Sequence, residues 1–496
     1  MMKILTSGQI READQYTIKY EPIDSIALME RASRAFIDLF LTFFPKKKLI
    51  RIFCGTGNNG GDGLAVGRIL KHQGWEVFKY VVGNPQKGSE DFKQNLDRSD
   101  LYAVIKETKD LPEIGEDEII IDGLFGSGLS RPLDGLYLDV VNFLNKSDAL
   151  RIAIDMPSGL FADKPLDSQN TALNANITIS FQVPKLAFLL PENHKYLGEW
   201  YLVDIGLNTK FLEDQSTSFY FTEQVDLKGS IPHREKFTHK NEVGRLLIVS
   251  GSKGKMGAAI LCTRAAFAVG ASLVNACTPR CGTKVIQTAI PEAMVIEDVD
   301  EEVISKIPKT DDTIAIGPGM GTEPKTVKAF ENVLKRTTDP MVIDADGLNI
   351  LAKKKSLLKW IPKNSILTPH PGEFKRLVGV WKNDFEKLEK LRKLSMEYEL
   401  NLVLKGAYSA ICDSQGKIFF NPTGNPGLAT AGSGDVLTGV IASFLSQGVA
   451  PFTALRLGVY VHGLAGDIAI NSLDKSFLIA SEIIDYLPHA MKEIKG

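Results

Sequence analysis

The sequence predicts two α/β domains in tandem, each built on a mostly parallel sheet. Short apolar runs of strand length alternate with helical patterns in both halves, polar residues gather just after those runs, and the alternation lapses once, where residues 207–218 are polar and without clear period. A length of 496 residues accommodates two or three domains. Lys plus Arg (58) nearly balances Asp plus Glu (60), which leaves no electrostatic footprint for nucleic acid or an anionic membrane. No segment approaches about 18 uninterrupted apolar residues, and the chain turns polar early, at Thr6, Ser7, Gln9, Arg11 and Glu12; a soluble, cytoplasmic protein is expected. Five dispersed cysteines fit reduced thiols, and Cys277 and Cys281 lack the partners a structural zinc needs.

Helical patterns cover residues 7–19 and about Ser25 to Phe44. Leu49 to Cys54 then reads as a buried strand, followed by a glycine-rich loop from Gly55 to Gly63 and a helix through Leu70. Gly55, Gly57 and Gly60 have dinucleotide-site spacing, but the second strand, Glu76 to Val82, ends without the carboxylate that grips a ribose. Asn58, Asn59 and Asp62 are polar beyond what a backbone phosphate cradle needs, so the loop reads as a binding loop, with a plain tight turn as the simpler alternative. Two more strand ends follow the same plan: Ile119 to Asp122 enters Gly123 to Pro132, and Ile152 to Asp155 enters Met156-Pro157-Ser158-Gly159. Loops leaving parallel strands at one edge converge, so Asn59, Asp122 and Asp155 are candidates for one crevice holding a hard cation, with Arg131 suited to phosphate; local turn capping is the alternative for each aspartate. Strands at Ile177–Phe181 and Trp200–Ile205 complete the first half, predicting domains at 1–215 and 220–496.

The second half restarts with a strand at Gly244–Ser250 and a small-residue helix running to Gly270. Its strand ends again carry the polar residues: Gly317 to Gly321, Asp344 to Asn349, Thr368 to Glu373, and Lys405-Gly406. The charge-rich stretch Lys382 to Lys393 reads as a solvated helix face, and His462 as a packing residue within an apolar helix. The stretch that most invites chemistry is Gly424 to Leu437, where small residues give way to a buried helix at Asp435. A helix N-terminus offers unpaired amides to an anion. Two roles are therefore open for Asp435, a base beside a phosphoryl group or a helix cap.

These motifs, Asn58-Asn59-Gly60-Gly61-Asp62-Gly63, Asp344 to Asn349, Thr368 to Glu373 and Gly427 to Leu437, in that order, resemble the bifunctional NAD(P)H-hydrate repair enzymes over nearly the whole chain. The resemblance implies a Rossmann-like three-layer NAD(P)HX epimerase followed by a ribokinase-like, ADP- or ATP-dependent NAD(P)HX dehydratase. It implies K+ on Asn59, Asp122 and Ser158, and hydrated nucleotide on Asn58, Asn59, Gly60, Gly61 and Asp62 and on Gly126, Ser127, Gly128, Leu129, Ser130, Arg131 and Pro132, with Asp155 binding and reacting. For the second domain it implies substrate on Ala258, Gly319, His370 and Asp435, ADP on Lys405, Gly406, Ala407, Tyr408, Ser409 and Gly434, catalysis by Asp435, and Mg2+ with the nucleotide near Glu373. A homo-oligomer without nucleic-acid or membrane partners is expected. The chain departs from the pattern at His239-Lys240-Asn241 and at Ser272, where glycine is common in the family. Two other readings compete: a vitamin or sugar kinase sharing the Gly432 to Asp435 loop, and a non-catalytic binding module in the first half. The Thr368 to Glu373 segment favours the dehydratase over the first, and intact Asp122, Asp155 and Ser158 oppose the second.

Overall fold

A computed structural model describes residues 1–240 and 243–495; Asn241 lies outside the described residues. The chain forms two compact units, one of residues Met2–Phe219 with Asn383–Phe385, the other of Tyr220–Lys382 and the chain from Glu386 on, with Met1.

The first unit is a seven-stranded sheet of β1 (Ile50–Cys54), β2 (Val77–Val82), β3 (Ala103–Ile105), β4 (Ile119–Gly123), β5 (Leu150–Ile154), β6 (Ile177–Phe181) and β7 (Glu199–Val203). Its order is β3-β2-β1-β4-β5-β6-β7 and every neighbouring pair is parallel. The period of two along each strand divides the apolar residues between two cores. Ile52, Ile121 and Ile152 pack with Phe36 and Phe40 of α2 (Ser25–Phe43) and Leu64 and Leu70 of α3 (Asn58–His72). Phe53, Ile120 and Ala153 pack on the other face with Val140 and Leu144 of α4 (Gly135–Asn145). Strand order reverses between β1 and β4, the place where open α/β sheets bind ligands.

Two expectations for this unit need correction. The glycine run is no loop from Asn58 on, because α3 begins there and takes Gly60, Gly61 and Gly63 into its first turns. Its glycines serve close packing: a Cβ on Gly60 would lie 1.7 Å from Gly55 O, and one on Gly61 2.8 Å from Met29 Sδ. Within the polar stretch 207–218, Thr209–Asp214 is helical, started by Asn208, whose side chain accepts from Phe211 N at 3.0 Å.

In the second unit the strands are β8 (Arg245–Val249), β9 (Leu273–Thr278), β10 (Met294–Glu297), β11 (Thr313–Ile316), β12 (Val342–Ile343), β13 (Ile366–Leu367), β14 (Asn401–Leu404), β15 (Ala410–Cys412) and β16 (Ile418–Phe420). They run β16-β15-β14-β13-β12-β11-β8-β9-β10, parallel except for the β14-β15-β16 meander. Helix α7 (Ser433–Ser446) is apolar almost all round because it is buried on both sides. Leu437 and Ile441 face the sheet residues Leu246, Ile248 and Val342, while Val436, Val440 and Phe444 face α8 (Pro451–Leu473) and α9 (Ala480–Lys495). α5 (Met256–Ala268) approaches so closely that a Cβ on Gly439 would sit 2.1 Å from Cys262 O. The charge-rich stretch lies in helix Asp384–Tyr398, where Lys387 is buried, so that face is not wholly solvated. No helix among the described residues is long and apolar enough to cross a membrane.

Candidate active sites

In the first unit the loops after β1, β4 and β5 meet over the switch point. Asp155, one residue past β5, holds a left-handed φ of 63°, a conformation that costs a non-glycine residue about 1–3 kcal/mol. Its carboxylate is held on both oxygens: Lys185 Nζ donates to Oδ1 at 2.6 Å and Ser180 Oγ at 3.2 Å, while Ser127 N donates to Oδ2 at 3.0 Å. Lys185 spends its other donors on Ser180 Oγ (2.7 Å) and Phe181 O (3.0 Å) and is 1% exposed. Burial alone would raise the Asp155 pKa, but the Lys185 ammonium and the Ser127 bond overcome it and hold the group below the usual carboxylate range.

Beneath this pair, Asp122 and Ser158 tie two loops together. Asp122 Oδ1 accepts from Ser158 Oγ (2.7 Å) and Leu124 N (3.1 Å), Oδ2 accepts from Ser158 N (2.8 Å), and Ser158 Oγ accepts from Phe125 N (2.8 Å). Burial still pushes Asp122 up to about 6. Among the described residues Asn59 Nδ2 is buried without a partner. The donor set of Asn59, Asp122 and Ser158 is oxygen-rich and holds a buried carboxylate short of countercharge, which fits a hard monovalent cation.

Above lies a cavity of about 440 Å³ whose walls include Asn58, Asn59 and Asp62, every residue from Gly126 to Arg131, and Asp155 with Lys185. Gly60, Gly61 and Pro132, expected among the binding residues, do not line it; the first two are packing glycines. Gly126 is needed for close approach, since a Cβ there would lie 3.0 Å from Asn59 Oδ1 and 3.1 Å from Asp155 Oδ2. Sequence reasoning missed three charged cavity residues: Lys185, and Arg11 and Asp14 from α1 (Ser7–Tyr20). Asp14 is raised to about 7 by burial and the Asp155 charge, and Asp62 is raised well above its usual value by burial and by Asp155 and Asp14. One carboxylate held low and two pushed up therefore share one cavity.

In the second unit the chemistry gathers at the N-terminus of α7. Gly432, the residue before it, has φ 87°, and a Cβ there would meet Leu261 Cδ1 at 2.4 Å. Asp435 is the third residue of the helix rather than its cap, so its carboxylate is free for other work. Burial and the Asp344 charge raise its pKa to about 6. Asp344, at the end of β12, accepts from Lys405 Nζ at 3.1 Å and from Thr438 Oγ1 at 2.7 Å, joining β12, the turn after β14 and α7. The segment expected to hold ADP, from Lys405 through Gly406, Ala407, Tyr408 and Ser409, is that turn, closed by Ser409 Oγ donating to Gly406 O at 3.1 Å, and Gly434 lies against Lys405, whose Nζ would be 3.4 Å from a Cβ there. Ser433 Oγ and His462 Nε2 are 3.2 Å apart and buried, and desolvation lowers His462 to about 4, so it is neutral. His462 thus holds the first turn of α7 as well as packing.

Ala258 and Gly319 adjoin, with 3.0 Å between the Ala258 methyl and a Cβ built on Gly319. Gly321 N donates to Asp346 Oδ2 at 2.8 Å, and Asp346 connects through Asn349 to Arg376. His370 is half exposed at the start of α6 (Pro371–Val378); its Nδ1 accepts from Gly372 N, leaving Nε2 to donate. Glu373 turns back to accept from His370 N at 2.9 Å, so its first role is the capping box of α6 rather than a free ligand for magnesium. Among the described residues no cluster of three or more His, Cys, Asp or Glu forms a metal cage.

The fold and the two sites define a two-centre α/β enzyme: a Rossmann-like unit with a charged carboxylate and ammonium at its switch point, and a unit with an aspartate of raised pKa in the first turn of a buried helix. Comparison with known proteins agrees. Residues 246–489 match the family model described as NAD(P)H-hydrate dehydratase, and residues 25–187 the one described as YjeF-related protein N-terminus. The chain is 34% identical over 519 aligned residues to the bifunctional NAD(P)H-hydrate repair enzyme of Moorella thermoacetica, covering 100% of this chain and 97% of that protein. The corresponding enzyme of Thermofilum pendens is 32% identical, with 100% and 97% covered. The crystal structure of a ribokinase-like superfamily protein from Enterococcus faecalis matches 57% of this chain and 99% of its own at 25% identity, with a TM-score of 0.50. The chain belongs to the family of bifunctional NAD(P)H-hydrate repair enzymes.

Proposed function

We propose that the chain repairs hydrated NADH and NADPH at two centres, with residues 1–215 interconverting R- and S-NAD(P)HX and residues 220–496 dehydrating the S form. In the first, the cavity holds the hydrated ring beside Asp155, with the 126–131 loop and Arg11 against the phosphates, and Asn59, Asp122 and Ser158 holding K+, which would neutralise the buried Asp122 and fix both loops. In the second, ADP or ATP lies on the 405–409 turn, and the hydrate on Ala258, Gly319 and His370. Asp435 takes the proton of the ring hydroxyl, whose oxygen attacks the terminal phosphorus, releasing AMP or ADP. Lys405 and the first amides of α7 meet the negative charge of the transferring group. The ring nitrogen lone pair then expels inorganic phosphate as the N1=C6 bond forms, carbon 5 gives up a proton to water, and the C5=C6 bond of reduced nicotinamide is restored as the N1=C6 pair returns to nitrogen. Magnesium brought in with the nucleotide would neutralise charge on the transferring group.

The observation that carries this reading is the pairing of a base raised to about 6, Asp435, with an ion-paired Lys405 at the unsatisfied start of a buried helix. The test uses two full-length variants: Asp155→Asn is expected to lose R-to-S interconversion and keep dehydration of the S form, and Asp435→Asn the reverse. Loss of both activities in either variant contradicts two separate centres. We further propose a cytoplasmic homo-oligomer, which light scattering on the purified chain tests for its oligomeric part.

A further inference from the structure

One face of α1 lines the first cavity: Ser7, Ile10, Arg11 and Asp14, at the i, i+3, i+4, i+7 spacing of a single helix stripe. The adjoining stripe, with Ala13 and Thr17, is fully buried, so α1 is anchored on the unit. Among the described residues no hydrogen bond or ion pair holds the Asp14 carboxyl, whereas Asp155 in the same cavity is bound on both oxygens. The charged groups whose fields reach Asp14 are Asp155, Lys185 and Arg11, and Asp62 also shares the cavity.

Inversion at a ring carbon bearing hydroxyl and nitrogen needs the hydroxyl to leave from one face and return on the other. A leaving hydroxyl needs a proton, and an entering water must lose one. Asp155, ion-paired to Lys185, is a carboxylate suited to accept and unsuited to donate. We propose that Asp14 is the second catalytic residue of the epimerase, the acid that protonates the departing hydroxyl; this rests on the epimerase reading above.

The step balances. The Asp14 O–H gives its proton to the hydroxyl on carbon 6, the C6–O bond breaks, water departs, and the ring nitrogen lone pair forms the N1=C6 bond. Water adds to the opposite face, the N1=C6 pair returns to nitrogen, and the surplus proton passes to Asp155. Asp155, held low, then loses that proton to solvent, and Asp14, pushed to about 7, regains one, so the pair resets near neutral pH. In the reverse direction the same acid and base serve the S form, presented with its hydroxyl toward Asp14.

The experiment measures R-to-S interconversion by the full-length chain across pH, for wild type, Asp14→Asn and Asp14→Glu, with dehydration of the S form as the folding control. Wild type is expected to lose rate as pH rises through about 7, where the acid form of Asp14 disappears. Asp14→Asn is expected to lower kcat by ~100-fold or more with KM little changed and without that limb, and Asp14→Glu to recover both rate and limb. Wild-type kcat in Asp14→Asn, or a falling limb that survives the substitution, overturns the proposal. An Asp14→Glu variant as slow as Asp14→Asn with the dehydratase intact also counts against it, as a structural role. A wild-type chain that does not interconvert the epimers at all fails the epimerase reading itself, a result distinct from these.

Discussion

Lys185 Nζ and Asp155 Oδ1 lie 2.6 Å apart with 1% and 9% of their side chains exposed, an ion pair in the wall of the first cavity. Removing one partner of such a pair strands the other charge. Lys185→Met is therefore expected to destabilise the first unit by about 3–5 kcal/mol in denaturant titrations and to abolish interconversion. Because the folded Asp155 value is depressed, the pair's contribution is present above the ordinary carboxylate pKa and is lost as pH falls through the lowered folded value. Stability against pH should lose that acid limb in the variant; an unchanged limb contradicts the assignment.

Asp435 has the opposite sign. Its pKa is raised, so the folded state favours the neutral acid, and its stabilising contribution fades as pH rises from the ordinary value through about 6. Asp435→Asn should then stabilise the second unit at pH 8 by on the order of 1 kcal/mol after solvent screening, while lowering dehydration by ~100-fold or more. Wild-type dehydration should rise with pH through about 6 as the base form appears. Calorimetry paired with rate measurements checks both.

His462 predicts a third pH effect. Its folded value of about 4 lies below the ordinary 6.5, so protonation of the unfolded chain erodes stability as pH falls from 6.5 to about 4 and the erosion then levels. His462→Gln removes that window from the stability curve of the full chain. It should also lower dehydratase kcat by loosening the Ser433 turn, and equal stability slopes in both proteins would refute it.

Much of this was legible in the sequence, and the reasons for the rest are physical. Parallel strands ending in polar residues placed Asn59, Asp122 and Asp155 together, since chain direction alone puts such ends on one edge. The start of α3 was hidden because glycine ordinarily argues for a loop, and the need for Gly60 arises from Gly55 O, a contact the local pattern does not carry. Lys185 lies 30 residues beyond Asp155, past a strand and three prolines, so its pairing is a long-range fact. Nothing in the helical pattern over residues 7–19 sets Asp14 apart from the exposed Glu12 and Gln15, and only the cavity does.

Gly60 offers a test of packing at a residue that does not line the cavity. Gly60→Ala would drive a methyl to within 1.7 Å of Gly55 O, backbone that cannot yield without moving β1 from α3. A loss of about 3 kcal/mol or more is expected in the first unit, and interconversion should fail while dehydration of the S form persists. Coincident loss of both activities would show that the two units do not fold independently.

The central claim is tested most directly by following near-ultraviolet absorbance of reduced nicotinamide from a mixed R and S hydrate of NADH, with ADP, with ATP or with neither, and magnesium and potassium present. Two working centres predict complete recovery that requires a nucleotide. Recovery that stops at the S fraction contradicts the epimerase assignment, and a stable phosphorylated product without recovery contradicts the dehydratase and points to a kinase.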